Sequence, residues 1–202
     1  GSGDKIFTTQ YDYNQSFAVR RKSDMSVVKE HYRTDYYTHR TLAMLDKSTN
    51  RIVEASPYRI MVYNVDETNG EVTNFVEKNT NSFSVFNRDM PVSQNGQYFI
   101  PQYDGSVYDQ NLNLIVQIPF QNNGYADVDF SADGQFIYVA YLDFSFGGTL
   151  IQKFKFPSLE VVGSRRFNSA SPRALEAVEG GVIFVGSGVN GFNQVLVKKL
   201  DL

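Results

Sequence analysis

Five times along the chain a turn of small and polar residues is followed at once by an apolar run of strand type. Gly1-Ser2-Gly3-Asp4 leads into Lys5-Ile6-Phe7, Ser48-Thr49-Asn50-Arg51 into Ile52-Val53, and Gln94-Asn95-Gly96-Gln97 into Tyr98-Phe99-Ile100. Ala132-Asp133-Gly134-Gln135 leads into Phe136-Ile137-Tyr138-Val139-Ala140, and Glu179-Gly180-Gly181 into Val182-Ile183-Phe184-Val185. Measured on Gly3, Asn50, Gly96, Gly134 and Gly180, the spacings are 47, 46, 38 and 46 residues. A unit of that length built from short strands cannot bury its own apolar faces, so neighbouring units must stack. The period predicts an all-β fold, a β-propeller of about five blades of four antiparallel strands.

Within each period the apolar runs read as strands A to D joined by hairpins. The second repeat is complete: Thr41 to Asp46, Arg51 to Ala55, Arg59 to Val65 and Glu71 to Glu77. Its last two strands flank Asp66-Glu67-Thr68-Asn69-Gly70, where Asn or Gly can take the positive φ that a tight hairpin needs. The third repeat reads Met90 to Ser93, Gln97 to Tyr103, Gly105 to Asp109 and Leu114 to Pro119. The fourth reads Ala126 to Ser131, Gln135 to Tyr141, Thr149 to Phe156 and Leu159 to Phe167. The end blades are incomplete. The first repeat shows B, C and D (Lys5 to Gln10, Ser16 to Lys22, Ser26 to Tyr32), and the fifth shows A, B and C (Ala174 to Val178, Val182 to Gly186, Gln194 to Leu200). The repeats cover about 1–33, 40–79, 88–120, 125–168 and 173–202, read together as a single domain over 1–202. A closed or nearly closed five-blade ring is expected. The alternative is a piece of a larger propeller, because an unpaired strand edge is normally covered.

A second alignment supports the repeat without the turns. The segment from Phe17 to Val28 overlays that from Ile151 to Val162 at an offset of 134 residues, about three periods. Val62-Tyr63-Asn64-Val65-Asp66-Glu67-Thr68-Asn69-Gly70-Glu71-Val72 follows the same strand, turn, strand plan, and it resembles the repeat of the YVTN family of bacterial propellers. Val128-Asp129-Phe130-Ser131-Ala132-Asp133-Gly134-Gln135-Phe136 resembles the serine, aspartate, glycine hairpin of WD-repeat-like and TolB-like blades. The resemblance implies blades and names no substrate.

Charge and composition narrow the partners. Nineteen basic and 22 acidic side chains leave a net charge of −3, which lacks the concentrated basic surface that a nucleic acid demands. No apolar stretch approaches the roughly 20 residues of a membrane-spanning helix. With no cysteine, neither disulfide nor thiolate chemistry is available within the sequence. Gly1-Ser2-Gly3-Asp4 suits either a cloning remnant or the residues that follow a cleaved signal or a lipidated cysteine. Together with a surface rich in Asn, Thr, Ser and Tyr, the second option points to a secreted, periplasmic or cell-surface bacterial protein, with a lipid anchor in its precursor.

The chemistry-bearing residues are sparse. His31 and His39 lack the further ligands of a zinc site, and the Asp127 to Gly134 run misses calcium-loop spacing, so neither metal nor cofactor is expected. Alternation puts Asp127 and Asp129 on one face of their strand. No serine lies in Gly-x-Ser-x-Gly. Asp46, Asp127, Asp129 and Glu176 on inner strands keep a carbohydrate-active hydrolase open as an alternative, with Asp46 and Asp129 its carboxylates. The main expectation is a non-catalytic binding or assembly module. Its site would lie on the face of the D–A and B–C loops, where Arg40, Arg88, Tyr125 and Arg173 stand near the start of strand A. Tyr58 and Tyr103 join them there, beside Tyr11, Tyr13, Phe144, Phe146 and Phe192. Arginines beside aromatic rings suit a peptide, a protein partner or a glycan.

Overall fold

The structure is a computed structural model that describes residues 4–8, 15–32, 41–46, 49–80, 90–101, 105–119, 125–143, 148–168, 170–188 and 195–202. Among these residues the regular structure is strand throughout. Two compact units divide the chain, Gly1–Ile115 and Val116–Leu202.

The first unit opens with a sheet of β1 (Lys5–Thr8), β2 (Gln15–Arg21) and β3 (Val27–Tyr32), in that order. Blade 2 follows as β4 (Thr41–Asp46), β5 (Arg51–Ser56), β6 (Arg59–Val65) and β7 (Val72–Asn79), again in chain order. Blade 3 has β8 (Tyr98–Phe99), β9 (Ser106–Asp109) and β10 (Leu114–Gln117), the last running across the boundary between the units. Its expected strand A, Met90 to Ser93, is reduced to a single bridge between Val92 and Phe99. Pro91 has no N–H to give a ladder, which limits this stretch to isolated pairing.

The second unit holds blade 4, with β11 (Tyr125–Phe130), β12 (Phe136–Asp143), β13 (Gly148–Lys155) and β14 (Glu160–Phe167). Blade 5 has β15 (Ala170–Val178), β16 (Gly181–Gly188) and β17 (Val195–Leu200). All strand pairs with a described register are antiparallel.

The middle strands read as continuous apolar runs because both of their faces are buried. In blade 2, Ile52, Met61, Tyr63 and Val65 pack with Phe17 and Val19 of blade 1. The alternate residues Val53, Ala55, Ile60 and Val62 pack with Met90, Phe99, Tyr108 and Leu112 of blade 3. In the second unit, Tyr138, Ala140 and Ile151 of blade 4 meet Leu175, Val182 and Phe184 of blade 5. Each such aliphatic or aromatic side chain contributes about 1.5–3 kcal/mol by leaving water.

The turns repeat as well. At the A–B turns, Asn50, Gly96, Gly134 and Gly180 all have positive φ, at 51°, 69°, 69° and 76°. These are four of the five markers that gave the period, and Gly3 lies outside the described residues. Ser93 and Ser131 close their turns in the same way. Each hydroxyl donates to the side chain two residues on, Asn95 at 2.8 Å or Asp133 at 2.6 Å, and accepts the N–H of Tyr98 or Phe136 at 2.9 Å.

Candidate functional site

Two of the inner strands begin with a β-bulge. In β11 the register slips between Tyr125 and Asp127, and in β15 between Pro172 and Ala174. A bulge inserts one extra residue into its strand and re-aims the side chain there. In β15 that residue is Arg173. It is exposed, and its Nε donates to Ser187 Oγ on β16 at 3.0 Å. The sequence-based expectation of an arginine near the start of this inner strand therefore meets a specific backbone device.

The other expected contacts are distributed differently. Tyr58 is half-buried in the β5–β6 turn, where its carbonyl accepts the N–H of Thr80 at 2.8 Å. Tyr125 opens β11 opposite Tyr141. The side chain of Tyr125 lies outside the described set, as do Arg40, Arg88, Tyr103, Tyr11, Tyr13, Phe144, Phe146, Phe192 and His39 altogether. His31 stacks on Phe17 at 4.4 Å, and its Nε2 donates to Gly70 O at 2.8 Å, so it ties blade 1 to the β6–β7 turn.

The inner-strand carboxylates hold backbone. Asp127 accepts the N–H of Leu175 at 2.8 Å and that of Val128 at 3.0 Å. Asp129 accepts those of Ala177 and Phe130, both at 2.8 Å. Strand alternation sets both on one face, as expected, and that face meets β15, so the two clamp β11 to β15. Burial pushes the Asp129 carboxyl up to about 6, with the neighbouring charges of Glu176 and Asp127 acting in the same direction and the Ala177 and Phe130 N–H groups opposing. Asp46 accepts from Thr49 Oγ1 at 2.9 Å within its own turn, and Glu176 is exposed on β15.

One feature escaped the sequence reading. A groove of about 300 Å3 runs between blades 4 and 5, bordered by Asp133, Phe136, Tyr138, Lys153, Glu179 and Gly180. Lys153 Nζ stands 4.2 Å from the centroid of the Phe136 ring and donates to Leu202 O at 2.7 Å. The signal was there in the overlay, which matches Lys153 with the apolar Val19.

No family model matches the chain. No curated protein matches it either. Among solved structures it is similar to hydrazine synthase of Kuenenia stuttgartiensis, at 12% identity and a TM-score of 0.66 over 92% of this chain and 53% of that one. It is also similar to the β-propeller domain of Cps50 (Swd1) from Myceliophteria thermophila, at 11% identity and a TM-score of 0.63 over 91% of this chain and 59% of that one. The chain thus spans between half and three fifths of the length of these two structures. Likeness at such identity carries the fold alone: this is an all-β fold in which the described residues form five antiparallel sheets, of three or four strands each, that match β-propeller structures.

Proposed function

We propose that the chain is a non-catalytic binding or assembly module whose ligand is gripped at the bulged start of an inner strand by Arg173. The observation that carries this reading is the exposed guanidinium of Arg173, which stands at a register shift in β15 with its Nε on the Ser187 hydroxyl. A planar guanidinium next to a hydroxyl suits a carboxylate-bearing peptide or an acidic glycan. Tyr125, at the start of β11 in the same unit, belongs to the same proposal as a further contact. An exported bacterial setting and kinship with YVTN-type repeats are its finer parts, the latter resting on the Val62 to Val72 plan.

The hydrolase alternative is less favoured because Asp127 and Asp129 serve as backbone clamps. The test is an array of acidic and neutral glycans and peptides probed with the full chain, followed by titration of each hit against Arg173→Ala. The expected result is a hit whose affinity falls about tenfold or more in the variant, as for loss of a charge-assisted hydrogen bond. Undiminished binding by Arg173→Ala would remove Arg173 from the site, and turnover of a glycan that stops in Asp129→Asn would replace the reading with the hydrolase.

A further inference from the structure

In the second unit, side chains of one inner strand read the backbone of the next in a regular series. Asp129 on β11 accepts the N–H of Ala177 on β15, and Asp127 accepts that of Leu175, both at 2.8 Å. Each rung spans 48 residues, and the two lie two residues apart on either strand. Side chains two apart on a strand share a face, so the two aspartates form the start of a ladder of carboxylates laid along β15.

The ladder changes character at one level in both strands. Beyond Asp127 and Leu175, β11 slips in register between Tyr125 and Asp127, and β15 slips between Pro172 and Ala174. Tyr125 and Arg173 stand at these slips, so the next level brings an arginine on β15 and no aspartate on β11. Arg173 is exposed and donates its Nε–H to Ser187 Oγ on β16 at 3.0 Å, which orients the guanidinium. The nearby charges are negative: Asp127 one level down, and Glu176 exposed on β15. Leu200 pairs with Val182, at the opposite end of β16 from Ser187, so the place is remote from the residues around Leu202.

We propose, on the reading that Arg173 grips the ligand, that this level takes a single carboxylate, supplied by an aspartate of an extended peptide, which continues the ladder beyond Asp127. An aspartate on extended backbone is the group that makes the two rungs below, so a peptide presents it in the form the strand already accepts. An oriented guanidinium receives such a carboxylate through two parallel hydrogen bonds. Affinity comes from that charge-assisted pair. Selectivity comes from Asp127, whose carboxylate repels a second negative group on the same side of the ligand. The preferred ligand carries one isolated aspartate with uncharged residues beside it, and a glycan with a uronic acid at every unit is disfavoured by the same repulsion.

The probes are capped, fluorescent peptides titrated into the full chain by anisotropy: Thr-Val-Asp-Val-Thr, its asparagine counterpart, and Thr-Asp-Val-Asp-Thr, with oligogalacturonate as the glycan arm. The single-aspartate peptide should bind saturably, and the asparagine peptide about tenfold more weakly or worse. Arg173→Ala should erase that difference, and Arg173→Lys should keep only part of it, because an ammonium is a point charge without the fork. Asp127→Asn keeps an oxygen for the Leu175 N–H and should improve binding of the two-aspartate peptide about threefold, the scale of one exposed charge pair. Equal binding of the aspartate and asparagine peptides, or indifference of the two-aspartate peptide to Asp127→Asn, would overturn the proposal. Oligogalacturonate that binds through Arg173 while the aspartate peptide does not would sink the peptide and leave Arg173 as the grip. A preference for aspartate that survives Arg173→Ala would remove both.

Discussion

The carboxylate of Asp129 on β11 accepts the backbone N–H of Ala177 on β15 at 2.8 Å, joining the inner strands of two successive blades through a side chain. That contact sits where burial raises the carboxyl from the ordinary aspartate range to about 6. The folded protein therefore holds this proton more tightly than the unfolded chain does.

The sign of the pH effect follows. Between about pH 4 and pH 6 the native state binds the extra proton, so Asp129 contributes stability below the unfolded pKa and loses it as pH rises through the folded value. A shift of this size corresponds to about 3 kcal/mol at most. Urea midpoints measured from pH 4 to pH 7 should fall for the wild type, whereas Asp129→Asn should flatten the profile over that window. An equal slope in both proteins would assign the titration to another group. The carboxylates held low by local hydrogen bonds, Asp66 by the Asn69 and Thr68 N–H groups and Asp133 by the Ser131 hydroxyl, act in the opposite sense and below pH 4.

Gly96 and Gly134 hold the same φ of 69° at equivalent turns but in different surroundings. A Cβ at Gly96 would stand 1.6 Å from the carbonyl oxygen of Leu45, whereas one at Gly134 would meet nothing within 4 Å. Gly134→Ala should cost about 1–2 kcal/mol, the strain of a left-handed alanine alone. Gly96→Ala adds a backbone collision between blade 3 and β4 and should cost about 3 kcal/mol or more. Thermal denaturation of the two variants side by side checks this, and equal losses would mean that the turn at Gly96 can move away from Leu45.

Much of this architecture was legible because its punctuation is chemical. Asn50, Gly96, Gly134 and Gly180 are residue types that tolerate positive φ, and their spacing is the blade repeat. Strand A of blade 3 was misread because Met90 to Ser93 has strand composition while Pro91 withholds the N–H that a ladder requires. The role of Asp127 and Asp129 was illegible for a different reason. Alternation puts both on one face, but their partners, Leu175 and Ala177, are backbone groups 48 residues on, and backbone N–H groups leave no trace in residue identity. The place of Arg173 near the start of β15 follows from the repeat, whereas the register shift beside it has no counterpart in residue identity.

The β2–β3 and β13–β14 turns show the limit most sharply, and they yield the last prediction. Met25 and Leu159, matched by the overlay of the two segments, both take left-handed backbone, with φ of 59° and 56°. Neither residue type favours that conformation. The turns hold through main-chain bonds, Met25 N–H to Arg21 O at 3.0 Å and Leu159 N–H to Lys155 O at 2.8 Å. Met25 is half exposed, so truncating it loses little packing. Met25→Gly removes about 1–2 kcal/mol of strain and costs about 0.5–1 kcal/mol through the freer unfolded chain. The expected result is a net gain of about 0.5 kcal/mol, a small rise in melting temperature. Met25→Val, β-branched at positive φ, should lower it instead. A loss of stability in Met25→Gly would show that the methionine side chain contributes more to the β2–β3 turn than its exposure allows.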